Sequence, residues 1–176
     1  MATNPSLACL PIKAQWEAFS SALSIIESKF SSLQNIVSST GNEPKDAPVA
    51  YFSYQYNKFI ANQSKFNSGV SELNDLLEKL PQPPGGGVSE LLTIKAAYTK
   101  ASGYLQEYYS TSLQAFKIIG SDSDKAGASL TNINSAQSLY GDALVSYNKI
   151  SPSLAAVPTM LSMLENSLKK TDQNGC

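Results

Sequence analysis

Hydrophobic residues recur along this chain at alternating steps of three and four positions. The first run consists of Trp16, Phe19, Leu23, Ile26, Phe30, Leu33 and Val37. This spacing places a narrow apolar stripe on one side of a helix, and such a stripe can be buried only against other helices. Similar runs return in every long segment, so the pattern predicts an all-α fold.

Prolines and glycines divide the pattern into separate helices. The first helix is predicted over residues 11–40, and the second begins at Pro48, because proline is tolerated in a first helical turn. The second helix must stop before Pro81, since a proline there has no N–H to donate and clashes with the preceding turn. Residues 81–87, with the sequence PQPPGGG, are predicted to form a linker.

The second half of the chain continues in the same way. A third helix is predicted from the linker to Gly120, and Ser121–Asp124 are expected to cap a fourth helix that ends before Pro152. A shorter helix, which Pro158 either kinks or starts, completes the chain. Short loops between long helices favour antiparallel neighbours. We therefore expect an elongated up-down-up-down four-helix bundle with a short fifth C-terminal helix.

The length of the chain suits one domain. Its 176 residues suffice for a single hydrophobic core. We expect one helical domain over residues 1–176, with mobile termini at 1–10 and 171–176.

Two absences in the composition restrict the chemistry of the protein. All thirteen basic residues are lysines, and the chain has no arginine and no histidine. Without histidine there is no imidazole base, no Ser-His-Asp triad and no histidine-ligated metal. Without arginine, and with a net charge of −1, there is no basic surface for nucleic acid. We expect no enzymatic activity, no cofactor, no metal and no nucleic-acid partner.

The low charge of the chain points toward contact with other proteins. Charged residues make up 15% of the sequence, against about 25% in an average soluble domain. Fewer charges reduce the repulsion between copies. We expect a structural or protein-interaction module, with self-assembly of the bundle as one form of that role. The serine-rich composition slightly favours a secreted or surface-associated protein, although the chain shows no signal peptide and no transmembrane segment.

Tyrosines that lie off the core stripes are candidates for a partner surface. Tyr51, Tyr54 and Tyr104 have this position in the heptad pattern. Exposed tyrosine offers a large contact area and is enriched where proteins bind each other. The alternative is that these phenols only widen the core and reach water at its rim.

Two glutamines interrupt the apolar stripes near the middle of their helices. Gln63 and Gln137 occupy heptad core positions on the second and fourth helices, while Ala101 and Gly103 on the third helix are small. The pattern predicts a polar layer in the core. This layer would either line a ligand cavity or fix the register of the helices through a buried amide pair.

Three further hypotheses remain open. A fatty acid or other lipid would find room between the helices near Ala101 and Gly103, which makes a hydrophobic-ligand carrier the alternative function. A membrane-active protein, whose bundle opens toward lipid, is the second alternative. Cys9 and Cys176 either stay free, link two subunits, or form an intrachain disulfide that would stabilise the fold by roughly 5 kcal/mol.

Overall fold

The fold is all-α, as the hydrophobic pattern predicts. A computed structural model describes residues 6–38, 48–121 and 129–173, and no β-strand occurs in these ranges. These ranges contain six α-helices: α1 (Ser6–Val37), α2 (Pro48–Glu78), α3 (Val88–Gly120), α4 (Leu130–Asn148), α5 (Ile150–Leu154) and α6 (Val157–Gln173). The three longest helices have 31 to 33 residues and are therefore each about 48 Å long.

Consecutive helices run antiparallel. Near one end of the α1–α2 pair, the ammonium group of Lys58 donates a hydrogen bond to the carbonyl oxygen of Ser38 over 2.9 Å. Nearer the other end, Lys29 forms an ion pair with Glu72, and this hydrogen-bonded cation lowers the pKa of the Glu72 carboxyl. Position numbers rise along α1 while they fall along α2, so the two helices are antiparallel.

The same relation holds for the next two pairs of helices. Between α2 and α3, the Lys95 ammonium donates to the carbonyl oxygen of Glu78, and the Tyr109 hydroxyl donates to the carbonyl oxygen of Phe59. Between α3 and α4, the ring of Tyr108 lies 4.9 Å from that of Tyr147, and Phe116 lies 5.2 Å from Tyr140. The predicted up-down-up-down order of the bundle is confirmed.

Aromatic rings fill the core where α2, α3 and α4 meet. The Phe116 ring is fully buried and lies 5.0 Å from Phe59 and 5.7 Å from Phe52. Further along α3, Tyr109 stacks on Phe66 with 4.1 Å between the ring centres. Edge-to-face and offset contacts of this kind add to the stabilisation that burial alone provides.

In the described ranges, the part of the chain predicted to form a fourth helix and a short fifth helix consists of three helices, α4, α5 and α6. The predicted fourth helix ends at Asn148, and α5 and α6 continue in its place. Pro152 and Pro158 explain both interruptions, since neither has an N–H to donate to the carbonyl four residues earlier. Pro158 stands at the second position of α6 and therefore starts that helix.

The heptad pattern continues through both interruptions. Three positions are buried, namely Ile150, Val157 and Leu164, and four are only half-buried, namely Tyr147, Leu154, Leu161 and Leu168. These three helices all contact α3, whereas α1 approaches them only sparsely in the described ranges. The half-buried positions follow from this gap beside α1.

The linker between α2 and α3 is packed against the bundle. It contains a short 3-10 turn, Pro84–Gly86, in which Gly85 has a φ of 76° that favours glycine. Pro83 and Pro84 are buried. At Gly87 a Cβ atom would collide with the side chain of Leu164, so glycine lets α6 approach closely.

Helix ends differ from the predictions in places. Helix α1 begins at Ser6 instead of Pro11, and it ends at Val37. The cap of α4 is Ser129, whose hydroxyl accepts a hydrogen bond from the Asn132 N–H over 3.2 Å. Of the residues predicted to cap this helix, Ser121 instead follows α3, and residues 122–124 lie outside the described ranges.

Candidate functional site

The two glutamines predicted to form a polar layer do not lie in the core. Gln63 and Gln137 are both exposed, so the predicted layer is wrong. An α-helix turns 3.6 residues per turn and drifts relative to a strict heptad. On α2 the drift moves Gln63 to the margin of the buried face, while on α4 the neighbouring Ala136 takes the core position.

The space predicted near the middle of α3 is also absent at Gly103. Ala101 is fully buried as part of the core. Gly103 is exposed, and a Cβ added to it would meet no other atom within 4 Å. The small residue at 103 therefore opens the outer surface of α3 and adds no room between the helices.

A different glutamine is buried in the described part of the bundle. Gln55 is completely buried, and among the described residues neither its amide nitrogen nor its amide oxygen finds a hydrogen-bond partner. The signal for it was present in the sequence, because Gln55 lies three positions after Phe52 and four before Phe59. An unpartnered buried amide loses its hydration without compensation, which destabilises the folded state.

The three candidate tyrosines lie in three different environments. Tyr51 is buried, with its hydroxyl 3.5 Å from that of Tyr140, so its predicted place on a partner surface is wrong. Tyr104 is half-buried, and the ammonium of Lys149 lies 5.4 Å from the centre of its ring, within cation–π range. Tyr54 is 59% exposed; its role in binding a partner stays a prediction.

Several tyrosines of the core have hydroxyl groups whose pKa is raised by burial. Burial is the largest cause of the raised pKa of Tyr98, Tyr108 and Tyr109, and that of Tyr109 reaches about 12. The nearby charge of Glu27 also raises the pKa of Tyr98. In each case the folded state favours the neutral phenol, because the phenolate would lose its hydration.

Stability should therefore fall in alkaline solution. An unfolded tyrosine ionises near pH 10, so the stabilisation is complete below about pH 10 and is lost as pH rises toward about 12. We expect the free energy of unfolding, measured in urea, to be lower at pH 11 than at pH 8. The variant Tyr109→Phe should show a smaller difference, whereas Tyr54→Phe, which removes an exposed phenol, should match the wild type. Equal pH dependence in Tyr109→Phe and wild type would contradict this account.

The outer face of α3 carries a second stripe of uncharged residues. It consists of Val88, Leu92, Ala96, Thr99 and Gly103, spaced by three or four positions and all exposed; we call it the α3 outer stripe. Leu92 is 60% exposed and Val88 44% exposed. The spacing is that of a helix-packing face, although no other described helix covers it.

Among the surface grooves between neighbouring helices in the described ranges, two contain residues that bear on the predictions. The first, of about 580 Å³, opens between α1 and the α4–α5 junction, with Ile150 and Leu154 among its lining residues and Gln34 on the α1 side. The second, of similar volume, lies between α2 and α3 and includes Gln63 and Gln106. We call the first the α1–α5 groove.

Three further kinds of feature bear on function, namely metal sites, membrane-spanning helices and the two cysteines. Among the residues with described positions, no cluster of three or more acidic, cysteine or histidine side chains is arranged to hold a metal ion. Within the same ranges, no helix has the length and apolarity needed to cross a bilayer. Cys176 and the side chain of Cys9 lie outside the part that is described, so their pairing stays open.

Comparison of the chain with family models, with curated proteins and with solved structures finds no match.

Proposed function

We propose that this protein is a non-enzymatic structural or protein-interaction module that associates with a second copy of itself. The α3 outer stripe is the observation that carries this proposal. Its residues repeat with the period of a packed helix, yet they face outward. A helix with one buried and one outward packing face is typical of a subunit that is completed by a neighbour.

The composition of the stripe suits contact with another helix. Leu92 and Val88 supply apolar area whose burial would contribute about 25 cal/mol for each Å² removed from water. Ala96 and Gly103 are small, and interaxial distances between packed helices shorten when the side chains at the contact are small. The five residues of the stripe are themselves uncharged, so burying their own side chains desolvates no charge.

The test compares two surface leucines by light scattering after size exclusion. We expect the wild type to show a mass that rises above the 18.8 kDa of one chain as concentration increases. Leu92→Glu, which places a charge within the stripe, should leave a monomer. The matched control is Leu130→Glu, at a leucine of α4 that is 73% exposed, and it should associate like the wild type.

Two outcomes would refute the proposal. One is a wild-type protein that remains a monomer at every concentration. The other is equal association of Leu92→Glu and wild type, which would place the contact elsewhere on the surface. Circular dichroism of each variant establishes that the helices are retained.

A further inference from the structure

The α1–α5 groove combines an apolar floor with polar edges. Its floor contains Ile150, which is 2% exposed, together with the half-buried Tyr147 and Leu154. Its volume of about 580 Å³ lies within the roughly 300–1,000 Å³ of small-molecule sites. The groove stays open because α1 packs along α2 and approaches α4 and α5 only sparsely in the described ranges.

The polar edges of the groove are uncharged. They consist of the amides of Gln34 and Asn148 and the hydroxyl of Ser151, and none of the lining residues with described positions is a lysine, aspartate or glutamate. The one cation close in sequence, Lys149, lies over the ring of Tyr104 on α3. A charged ligand would therefore lose its hydration here without gaining an opposite charge.

The helix interruptions add hydrogen-bond acceptors at this same place. In a continuous helix, residues 152 and 158 would donate to the carbonyl oxygens of Asn148 and Leu154, but both positions are proline. Both carbonyls belong to residues that line the groove. They lack the donor that an ordinary helix provides and are suited to accept a hydrogen bond from a ligand hydroxyl or N–H.

We propose that the α1–α5 groove binds a neutral amphiphile, whose alkyl chain covers Tyr147, Ile150 and Leu154 and whose hydroxyl-bearing head donates to the backbone at the helix interruptions. The charge-free lining selects against ionised heads, and the acceptor carbonyls select for heads that donate. This site goes beyond the proposed self-association, and none of its residues belongs to the α3 outer stripe.

The first test compares two ligands that share one alkyl chain. Isothermal titration of the wild type with monodecanoylglycerol and with decanoate, both below their micelle concentrations, separates the head groups. We expect saturable binding of the glycerol ester at one site, and a dissociation constant for decanoate larger by at least about tenfold. Equal affinity for the two ligands, or no saturable binding of the glycerol ester, would overturn the proposal.

The second test fills the groove. Ala155 lines it, whereas Ala156 does not, and both residues are exposed in the turn between α5 and α6. Ala155→Trp should weaken binding of the glycerol ester by at least about tenfold, while Ala156→Trp should stay within about twofold of the wild type. If Ala155→Trp bound as well as the wild type, the ligand would lie elsewhere.

The head-group comparison does not depend on the folding of a variant, and a further titration separates ligand binding from self-association. The comparison of head groups uses only the wild type, so it decides the proposal even if Ala155→Trp fails to fold. Titrating the glycerol ester into Leu92→Glu separates the two sites, because that substitution should abolish association and leave ligand affinity within about twofold of the wild type. Loss of both properties together would show that the ligand site requires the dimer, and would overturn the proposal of a groove complete within one chain.

Discussion

Replacing Phe116 with alanine should lower the free energy of unfolding by about 3–5 kcal/mol, the usual cost of removing a buried aromatic side chain. Phe116 is fully buried on α3. Its ring meets Phe52 and Phe59 of α2 and Tyr140 of α4. The deletion would leave a cavity where three helices meet, and the surrounding rings are too rigid to fill it completely.

Urea denaturation monitored by circular dichroism measures this loss. The control is Tyr54→Ala, which removes an aromatic ring that is 59% exposed and should change stability by less than about 0.5 kcal/mol. A loss below about 1 kcal/mol in Phe116→Ala would mean that these rings are not packed together in solution. The dependence of the free energy of unfolding on urea concentration shows whether each variant exposes the same amount of surface when it unfolds.

Replacing Gln55 with leucine should raise the free energy of unfolding, by about 1–3 kcal/mol. The amide of Gln55 is completely buried, and no residue in the described part of the chain forms a hydrogen bond with it. Leucine has a similar volume and no polar group to desolvate. A substitution at a glutamine would thus stabilise the protein, although most substitutions in a core destabilise it.

The matched control for this prediction is Gln63→Leu. Gln63 is exposed on the same helix, so the change should alter stability by less than about 0.5 kcal/mol. Destabilisation of Gln55→Leu by more than about 1 kcal/mol would show that the amide of Gln55 makes a hydrogen bond in solution. Comparing the two variants also tests directly which glutamine of α2 belongs to the core.

The bounds of several helices could be predicted because they depend on local backbone chemistry. Helix α2 begins at Pro48 and α3 ends at Gly120, both as predicted. Proline is compatible with a first turn, and glycine is common where a helix ends. Residues 81–87 likewise separate two helices, although their packing against Leu164 depends on contacts that are distant in sequence.

The buried polar positions could not be predicted in the same way. On α2, steps of three and four pass through Phe52, Gln55 and Phe59 as well as through Phe59, Gln63 and Phe66. Both series satisfy the heptad rule. The choice between them depends on how α2 is rotated against α1 and α3, and steps of three and four residues alone do not specify that rotation.

The α1–α5 groove also depends partly on features that the sequence shows and partly on how the helices pack. Pro152 and Pro158 are visible in the sequence and predict that the fourth helix is interrupted. The position of α1 relative to these interruptions, which opens a groove beside them, emerges only when the helices are packed. Tyr51 is a similar case, because its burial results from contact with Tyr140, eighty-nine positions further along the chain.

The order in which the helices contact each other has a consequence for how fast the chain folds. Since α1 packs on α2, α2 on α3, and α3 on α4, much of the native contact surface joins neighbours in sequence. Closing a short loop costs less entropy than joining distant segments. Bundles of such low contact order fold within roughly microseconds to milliseconds, and this chain should acquire its antiparallel helix pairs on that timescale.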